Sequence, residues 1–530
     1  MLKQACRPAV ALGLALLLSV VAGPVSAQKH GGILKSQQRS NPPSLSTHES
    51  STFNTNWPMS PVYNNVVFFD PFKPVEALET VIPELAESWN WDATHTRLTF
   101  KVRQGVKWHD GKPFTANDIK HTFDVVRGVG KDKPKLNPRR LWYKNVKEIT
   151  TNGDREVTFV LERPQPALLM LLASGYSPVY PAHVSMADLR LKAVGTGPFT
   201  LTEYVRDRVI KVRKNPGYWR KDRPYLDGID FIVISKKSTA LSALQAGQID
   251  VLMPTETDQK VYMRLKDVPG LEFIRLPLAG HHVHVIVNNR KPPFNEPKLR
   301  RAVSMAMDRE AYTRAIQPGY QAGGFLMGPP DGEWGLSLAE LKEVPGYRDA
   351  EVDKEDARKL MRELGYGDNK RLQVKITTRT PANYVDAATW LLGELRQIYI
   401  DAELEVVDDG QWYPRQARRD YTISLSAMGY GVDDPDVVYF EGFTCGSQRN
   451  YTDYCDPVAE KMFAEQSATV DPAARKALVK KIERKLIDDV AKASLAFRVD
   501  YHARWNFVKN LVPHNTGYSW ARMENVWLDK

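Results

Sequence analysis

Short stretches in which apolar and polar residues alternate recur along the chain, and this period of two predicts half-buried β-strands. Residues 98–102 (LTFKV) and 372–376 (LQVKI) are two examples. Other stretches place apolar residues three and four apart, which predicts amphipathic helices. The helix predicted at 292–316 has Pro297 near its start, where proline is well tolerated. Strands and helices therefore share the chain.

The region from residue 372 to residue 428 is the most informative part of this pattern. It predicts a strand at 372–379, a helix at 387–398, and strands at 402–406 and 423–428. A strand, helix, strand order predicts parallel strands and an α/β fold. Ligands bind beyond the carboxyl ends of the strands in open sheets of this kind. Because Arg379 and Asp433 each follow such an end, we expect a cation and an anion to face one crevice.

The loop after the last of these strands carries two adjacent carboxylates, Asp433 and Asp434, within residues 421–436. Aspartate and proline also end strands in ordinary turns, so the pattern alone leaves a turn and a ligand site both open. We select Asp433 as the group that faces the crevice and keep Asp434 as the alternative. Trp412 and Tyr413 are weaker candidates for lining the crevice, and a place in the core explains them as well.

The first 27 residues have the composition of a secretory signal peptide. Lys3 and Arg7 precede an apolar stretch at 9–22, and Ala27 ends a small-x-small cleavage pattern. A retained membrane anchor is the alternative, but the apolar stretch is short for a span. No cysteine follows it for lipid attachment. We therefore expect an exported, periplasmic protein that is cleaved near Ala27.

Composition is typical of a folded soluble protein, with 42% hydrophobic and 26% charged residues in 530. That length predicts two or three domains. The formal net charge is +10. In an exported protein with dispersed basic residues, this excess indicates solubility or attraction to anionic surfaces. A nucleic-acid partner is not expected.

The cysteines agree with export. Cys6 leaves with the signal peptide, and Cys445 and Cys455 remain. An even pair, close in sequence and in an oxidising compartment, predicts a disulfide.

Motifs that carry catalysis are missing from the sequence. It has no GxxxxGK[ST] loop, no HExxH and no GxSxG. His282 and His284 share one face of a predicted strand, but no third ligand stands at a recognisable spacing. We therefore predict that the protein is not an enzyme and binds neither a metal nor a cofactor.

Several stretches resemble one family, the extracytoplasmic solute-binding proteins of ABC importers in the oligopeptide, dipeptide and nickel group. The matching stretches are PELAESWNW (83–91), LTFKVRQGVKWHDGKPFTANDIKHTFD (98–124), GTGPFTLTEY (195–204), NPGYWRKDRPYLDGIDFIVI (215–234), ALQAGQIDV (243–251), NNRKPPFNEPKLRRAVSMAMDRE (288–310) and DARKLMRELGY (356–366). Together they cover nearly the whole chain after residue 27, in order.

The resemblance implies a two-lobed clamshell that encloses a small solute and delivers it to a membrane permease and its ATPase. The implied organisation is a signal peptide at 1–27, lobe one at 28–280 with a small subdomain at about 71–190, lobe two at 281–505, and a return to lobe one at 506–530. The implied protein is a monomer.

The resemblance also assigns roles to residues. In the dipeptide-binding branch an arginine pairs with the ligand carboxylate, and an aspartate after Gly-Trp pairs with the ligand amino group. These positions fall on Arg379 and Asp433, with Tyr430 in place of the tryptophan. A short peptide is the expected ligand. Nickel complexes, opines and sugars are bound on the same scaffold, and an exported hydrolase or a sensory receptor is the alternative function.

Overall fold

The computed structural model describes residues 28–50 and 52–530, and the predicted signal peptide lies outside them. The strands are β1 (Ile33–Gln38), β2 (Val67–Phe69), β3 (Val81–Pro83), β4 (Ala86–Trp91), β5 (Arg97–Val102), β6 (Val146–Asn152), β7 (Glu156–Leu161), β8 (Phe199–Val205), β9 (Val209–Lys214), β10 (Gly228–Val233), β11 (Leu271–Val287), β12 (Leu372–Arg379), β13 (Ile400–Val407), β14 (Ile423–Gly429), β15 (Ala493–Trp505), β16 (Val508–Lys509) and β17 (Trp527–Leu528).

The α-helices alternate with these strands. They are α1 (Phe53–Met59), α2 (Ala116–Arg127), α3 (Leu168–Ala173), α4 (Met186–Leu189), α5 (Lys237–Gln245), α6 (Gln259–Leu265), α7 (Pro297–Ala306), α8 (Arg309–Ala311), α9 (Leu338–Leu341), α10 (Ala350–Glu363), α11 (Ala382–Arg396), α12 (Asp409–Arg418), α13 (Pro435–Gly442), α14 (Pro457–Ala468) and α15 (Pro472–Asp488).

Three sheets organise the chain. The first sheet has the order β1-β10-β9-β8, with β1 and β10 parallel. The second sheet has the order β13-β12-β14-β11-β15, and the small sheet has the order β4-β5-β7-β6. The small sheet comes from chain between β1 and β8, and the family resemblance implies an inserted subdomain in the same part of the chain.

The second sheet contains the parallel strands predicted between residues 372 and 428. β12 lies between β13 and β14 and is parallel to both. The chain therefore leaves β12 in one direction to form β13, and then crosses back to form β14 on the other side. This reversal is the position at which open α/β sheets open a crevice at the carboxyl ends of their strands. The prediction of parallel pairing is confirmed.

Two long antiparallel strands connect the second sheet with the first. β11 and β15 pair from Leu271↔Trp505 to Val285↔Ala493. The ladder is irregular between Pro277 and His282, because proline has no N–H to donate. The apolar stretch at 249–253 has the pattern of a short strand, but that prediction is wrong, since Val251 makes only isolated bridges there.

Apolar side chains fill the space beside each sheet. One core packs α7, α10 and α11 against the second sheet and includes Val285, Leu391 and Ile423, none of which has exposed surface. Another core runs beneath the small sheet and the first sheet and continues to Phe443 beside β14. In the described part of the chain, no helix is long and apolar enough to cross a membrane.

Candidate ligand site at the carboxyl edge of the second sheet

Arg379 is the last residue of β12 and lies in a ring of aromatic side chains. The centre of its guanidinium is 4.9 Å from the Tyr384 ring, 5.4 Å from the Trp412 ring and 5.2 Å from the Tyr413 ring. Its Nη1 also donates a hydrogen bond of 3.4 Å to Ser426 Oγ on β14. Stacking on aromatic faces holds an arginine fork in a fixed orientation.

The two aromatic residues selected from the sequence therefore do lie beside Arg379, although their burial differs. Trp412 is buried, and Tyr413 is 40% exposed. Sequence reasoning did not find Tyr384, which comes one turn into the helix after β12. Its spacing of five residues from Arg379 was the available signal, because the first turn of a helix folds back beside the strand that precedes it.

Asp433 lies in the connection after β14, seven residues along the chain from Ser426. Its Oδ2 accepts a hydrogen bond of 2.9 Å from Asn515 Nδ2, and its backbone oxygen accepts one of 3.3 Å from Trp334 Nε1. Burial, together with the nearby carboxyls of Glu76 and Asp434, raises the pKa of this carboxyl to about 7. An ammonium group beside this carboxyl would favour its ionised form, which is the form that pairs with a cation.

Asp434 occupies a different position from its neighbour. Its side chain has no exposed surface, and both carboxylate oxygens accept hydrogen bonds from Arg475, at 2.7 and 2.9 Å. Oδ1 also caps α13 by accepting from the backbone N–H of Asp436. The structure therefore commits Asp434 to a buried ion pair and a helix start.

Tyr430, between β14 and Asp433, has its ring 5.4 Å from the guanidinium centre of Arg449. Arg449 forms an ion pair with Glu441, and its Nη2 donates a hydrogen bond of 2.7 Å to the backbone oxygen of Gly429. The Tyr430 hydroxyl is buried and has no hydrogen-bond partner among the described residues. Sequence reasoning selected Tyr430 but missed Arg449, which is 19 residues further along the chain.

Aromatic side chains from elsewhere in the chain face this loop. Phe53 stacks on Tyr518 with ring centroids 4.2 Å apart, and Tyr176 packs 4.8 Å from the same Tyr518 ring. The Tyr518 hydroxyl hydrogen-bonds to His281 Nε2 at 2.8 Å. No sequence signal joins these residues, because only the folded chain brings them together.

Comparison with known families identifies the scaffold that holds these groups. The model for bacterial extracellular solute-binding proteins, family 5, middle region, matches residues 80–450. The chain belongs to this family.

Related proteins match almost the whole length of this chain. The "Probable di/tripeptide-binding protein 5" of Pseudomonas aeruginosa is 27% identical over 480 residues, which are 83% of this chain and 85% of the relative. The "Dipeptide-binding protein" of Escherichia coli is 25% identical over 549 aligned positions, which cover 98% of each chain.

A solved structure shows the fold of this family 5 protein. The ABC transporter-associated periplasmic binding protein DppA from Helicobacter pylori, in complex with the peptide STSA, has a TM-score of 0.82 at 21% identity. The superposition covers 95% of this chain and 99% of that chain. The fold is the two-lobed α/β clamshell that the sequence predicts.

The predicted disulfide is confirmed. Cys445 and Cys455 are bonded in the segment that follows α13. The backbone N–H of Cys445 donates a hydrogen bond of 2.8 Å to Glu460 Oε1 in α14, so this segment is tied to the helix as well as to itself.

His282 and His284 lie on one face of β11, as predicted, with ring centroids 3.7 Å apart. Burial lowers the pKa of both imidazoles well below the usual value, so both are neutral at pH 7. Within residues 28–50 and 52–530, no group of three or more His, Cys, Asp or Glu side chains has an arrangement that holds a metal ion.

Proposed function

We propose that this family 5 protein is the periplasmic solute-binding component of an ABC importer, and that its ligand is a short peptide. The observation that carries this proposal is the alignment with a dipeptide-binding protein over 98% of both chains. The permease and ATPase of the importer are the implied partners. The protein is proposed to act as a monomer and to bind its ligand without chemical change.

The proposed organisation follows the sheets. Residues 28–280, with the small subdomain at about 71–190, form lobe one, and residues 281–505 form lobe two. Residues 506–530 return to lobe one. Contacts of the returning segment support this division. Asn515 hydrogen-bonds to Asp433, and Tyr518 hydrogen-bonds to His281 at the second sheet.

Arg379 and Asp433 are the proposed anchors of the peptide. Arg379 would bind the terminal carboxylate, because a guanidinium presents two parallel N–H donors to it. Asp433 would bind the terminal ammonium. Both groups are shielded from bulk water, where the attraction between opposite charges is stronger than at an exposed surface. A clamp of this kind favours a zwitterion of limited length.

The remaining candidates have supporting roles in this proposal. Trp412 and Tyr413 hold the Arg379 fork, and Tyr413 keeps an exposed face with which to meet a side chain of the peptide. Tyr430 supports the loop that carries Asp433. We leave Asp434 out of the ligand contacts, because Arg475 already occupies both of its oxygens.

Mass spectrometry of the ligand that stays with the purified protein tests the proposal. Residues 28–530 would be purified without denaturation, and the extract would be compared with that from protein refolded from denaturant. A thermal-shift screen with di- and tripeptides would follow. A peptide in the extract, or stabilisation by one in the screen, supports the proposal. A non-peptide solute in the extract and no stabilisation by any peptide would refute it, and appearance of cleaved peptide would indicate a hydrolase.

A further inference from the structure

Trp142 joins the small subdomain to lobe two outside the proposed ligand contacts. It lies in the short helix Arg140–Tyr143, directly before β6 of the small sheet. Its indole Nε1 donates a hydrogen bond of 2.8 Å to Glu441 Oε1 in α13. The side chain has no exposed surface, so it offers no face to a bound ligand.

Glu441 links Trp142 to the end of β14. Its second carboxylate oxygen pairs with Arg449, and Arg449 in turn donates a hydrogen bond to the backbone oxygen of Gly429. Gly429 is the last residue of β14 and precedes the loop that carries Asp433. A contact made by Trp142 is therefore linked through charged hydrogen bonds to the position of that loop.

Gly431 provides the space into which the small subdomain packs. A Cβ atom at this position would lie 2.7 Å from Tyr176 Cδ2, 3.1 Å from Trp142 Cη2 and 3.2 Å from Ser174 Oγ. Ser174 Oγ also donates a hydrogen bond of 2.9 Å to the Gly431 backbone oxygen. Gly431 does not have the left-handed φ that requires glycine. Contact with the other lobe is thus what excludes a side chain here.

Packing beside this contact is incomplete. A cavity of about 160 Å³ lies on the same seam, between Asn145 and Gln165 of the small subdomain and Phe440 and Thr444 of lobe two. Permanent cores leave few voids larger than a water molecule. Polar interfaces between domains of one chain resemble transient interfaces between proteins, so motion of one domain against the other is the expected behaviour here.

We propose that Trp142 is the closing residue of the clamshell. Its docking on Gly431 and Glu441 stabilises the closed arrangement of the lobes and so raises ligand affinity without touching the ligand. The inference rests on the proposed function to the extent that the lobes open and close. It predicts that the open–closed equilibrium of the protein itself depends on this contact.

Single-molecule energy transfer between dyes on the two lobes tests the proposal. Lys133 of the small subdomain and Glu351 of lobe two are exposed and would be replaced by cysteine, because Cys445 and Cys455 are already bonded. The wild-type lobes are expected to sample a short, closed distance without ligand. Trp142→Phe keeps the ring but loses the donor to a charged group, so the ratio of closed to open molecules should fall roughly tenfold or more. Gly431→Ala should abolish the closed population.

Two matched variants separate closure from general damage. Trp219→Phe removes an indole hydrogen bond to Asn64 within lobe one, and Gly393→Ala adds a Cβ where no atom lies within 4 Å. Both should keep the wild-type ratio of closed to open molecules, although Trp219→Phe also loses a hydrogen bond and should melt slightly earlier.

The inference is overturned if Trp142→Phe and Gly431→Ala both keep the closed population, or if the wild-type protein never shows one. Adding trialanine and the peptides of the thermal-shift screen distinguishes this failure from that of the proposed function. If no peptide shifts the wild-type distance while both variants still lose the closed population, the peptide proposal fails and the closing role of Trp142 stands.

Discussion

Asp434 and Arg475 form a buried bidentate ion pair, with oxygen–nitrogen distances of 2.7 and 2.9 Å. The carboxylate of Asp433, the preceding residue, accepts a hydrogen bond from Asn515 near the end of the chain. Two adjacent aspartates thus have separate tasks. Asp434 fixes the start of α13, and Asp433 pairs with Asn515 and is the proposed ligand anchor.

Breaking the ion pair should be costly. Arg475→Met would leave the carboxylates of Asp434 and Asp436 buried without their cation, which typically destabilises by about 3–5 kcal/mol. Arg484→Met on the same helix removes only an exposed pair with Asp488 and should cost less than about 1 kcal/mol. Urea unfolding of both variants measures the difference. Equal midpoints for the two would contradict the structural role of Asp434.

Asp433→Asn should have the opposite effect on stability. The folded-state pKa of Asp433, about 7, lies above its unfolded value, so the folded protein loses stability as pH rises from about 4 to 7. Removing the carboxyl should stabilise the ligand-free protein by about 1–4 kcal/mol near pH 8 and have little effect near pH 4. Melting temperatures at both pH values check this. If the variant is less stable than wild type near pH 8, the ionised Asp433 carboxylate does not destabilise the folded protein.

Peptide affinity should depend on the same group. A ligand ammonium favours ionised Asp433, so binding releases a proton when the carboxyl is partly protonated beforehand. The association constant should therefore fall by up to about tenfold for each pH unit below 7. Calorimetry in buffers of different ionisation enthalpy measures the released proton directly. In Asp433→Asn, both the pH dependence and the proton release should disappear.

The disulfide should stabilise the folded protein. Cys445 and Cys455 are ten residues apart, and closing so short a loop contributes about 3 kcal/mol on the chain-entropy model. The double variant Cys445→Ser/Cys455→Ser should melt earlier than wild type, and a reductant should lower only the wild-type melting temperature. A reductant effect of equal size in the double variant would assign the change to something else.

The sequence predicts the strands, helices and parallel pairing of lobe two because these depend on local patterns. The alternation at 372–376 and the helical stripe that follows are enough to place Arg379 at a strand end. The same reasoning predicts one helix at 292–316, whereas α7 begins at Pro297 and ends at Ala306. It fails at 249–253, where a short apolar stretch forms bridges instead of a strand, and it does not find the full length of β11.

The site is only half predictable from sequence, since its other half comes from distant chain. Arg475 is 41 residues from Asp434, and Asn515 is 82 residues from Asp433. Neither separation follows from periodicity, and both are set by tertiary packing. The choice between Asp433 and Asp434 could therefore be made only after their partners were known.

Calorimetric titration of residues 28–530 with a dipeptide from the screen, its N-acetyl form and its C-terminal amide tests the central claim most directly. We expect the free dipeptide to bind and each blocked form to bind much more weakly, because each lacks one charge of the zwitterion. Arg379→Ala should bind the free peptide and its amide equally weakly, and Asp433→Asn should not distinguish the free peptide from its N-acetyl form. Equal affinity of wild type for all three ligands would contradict the account.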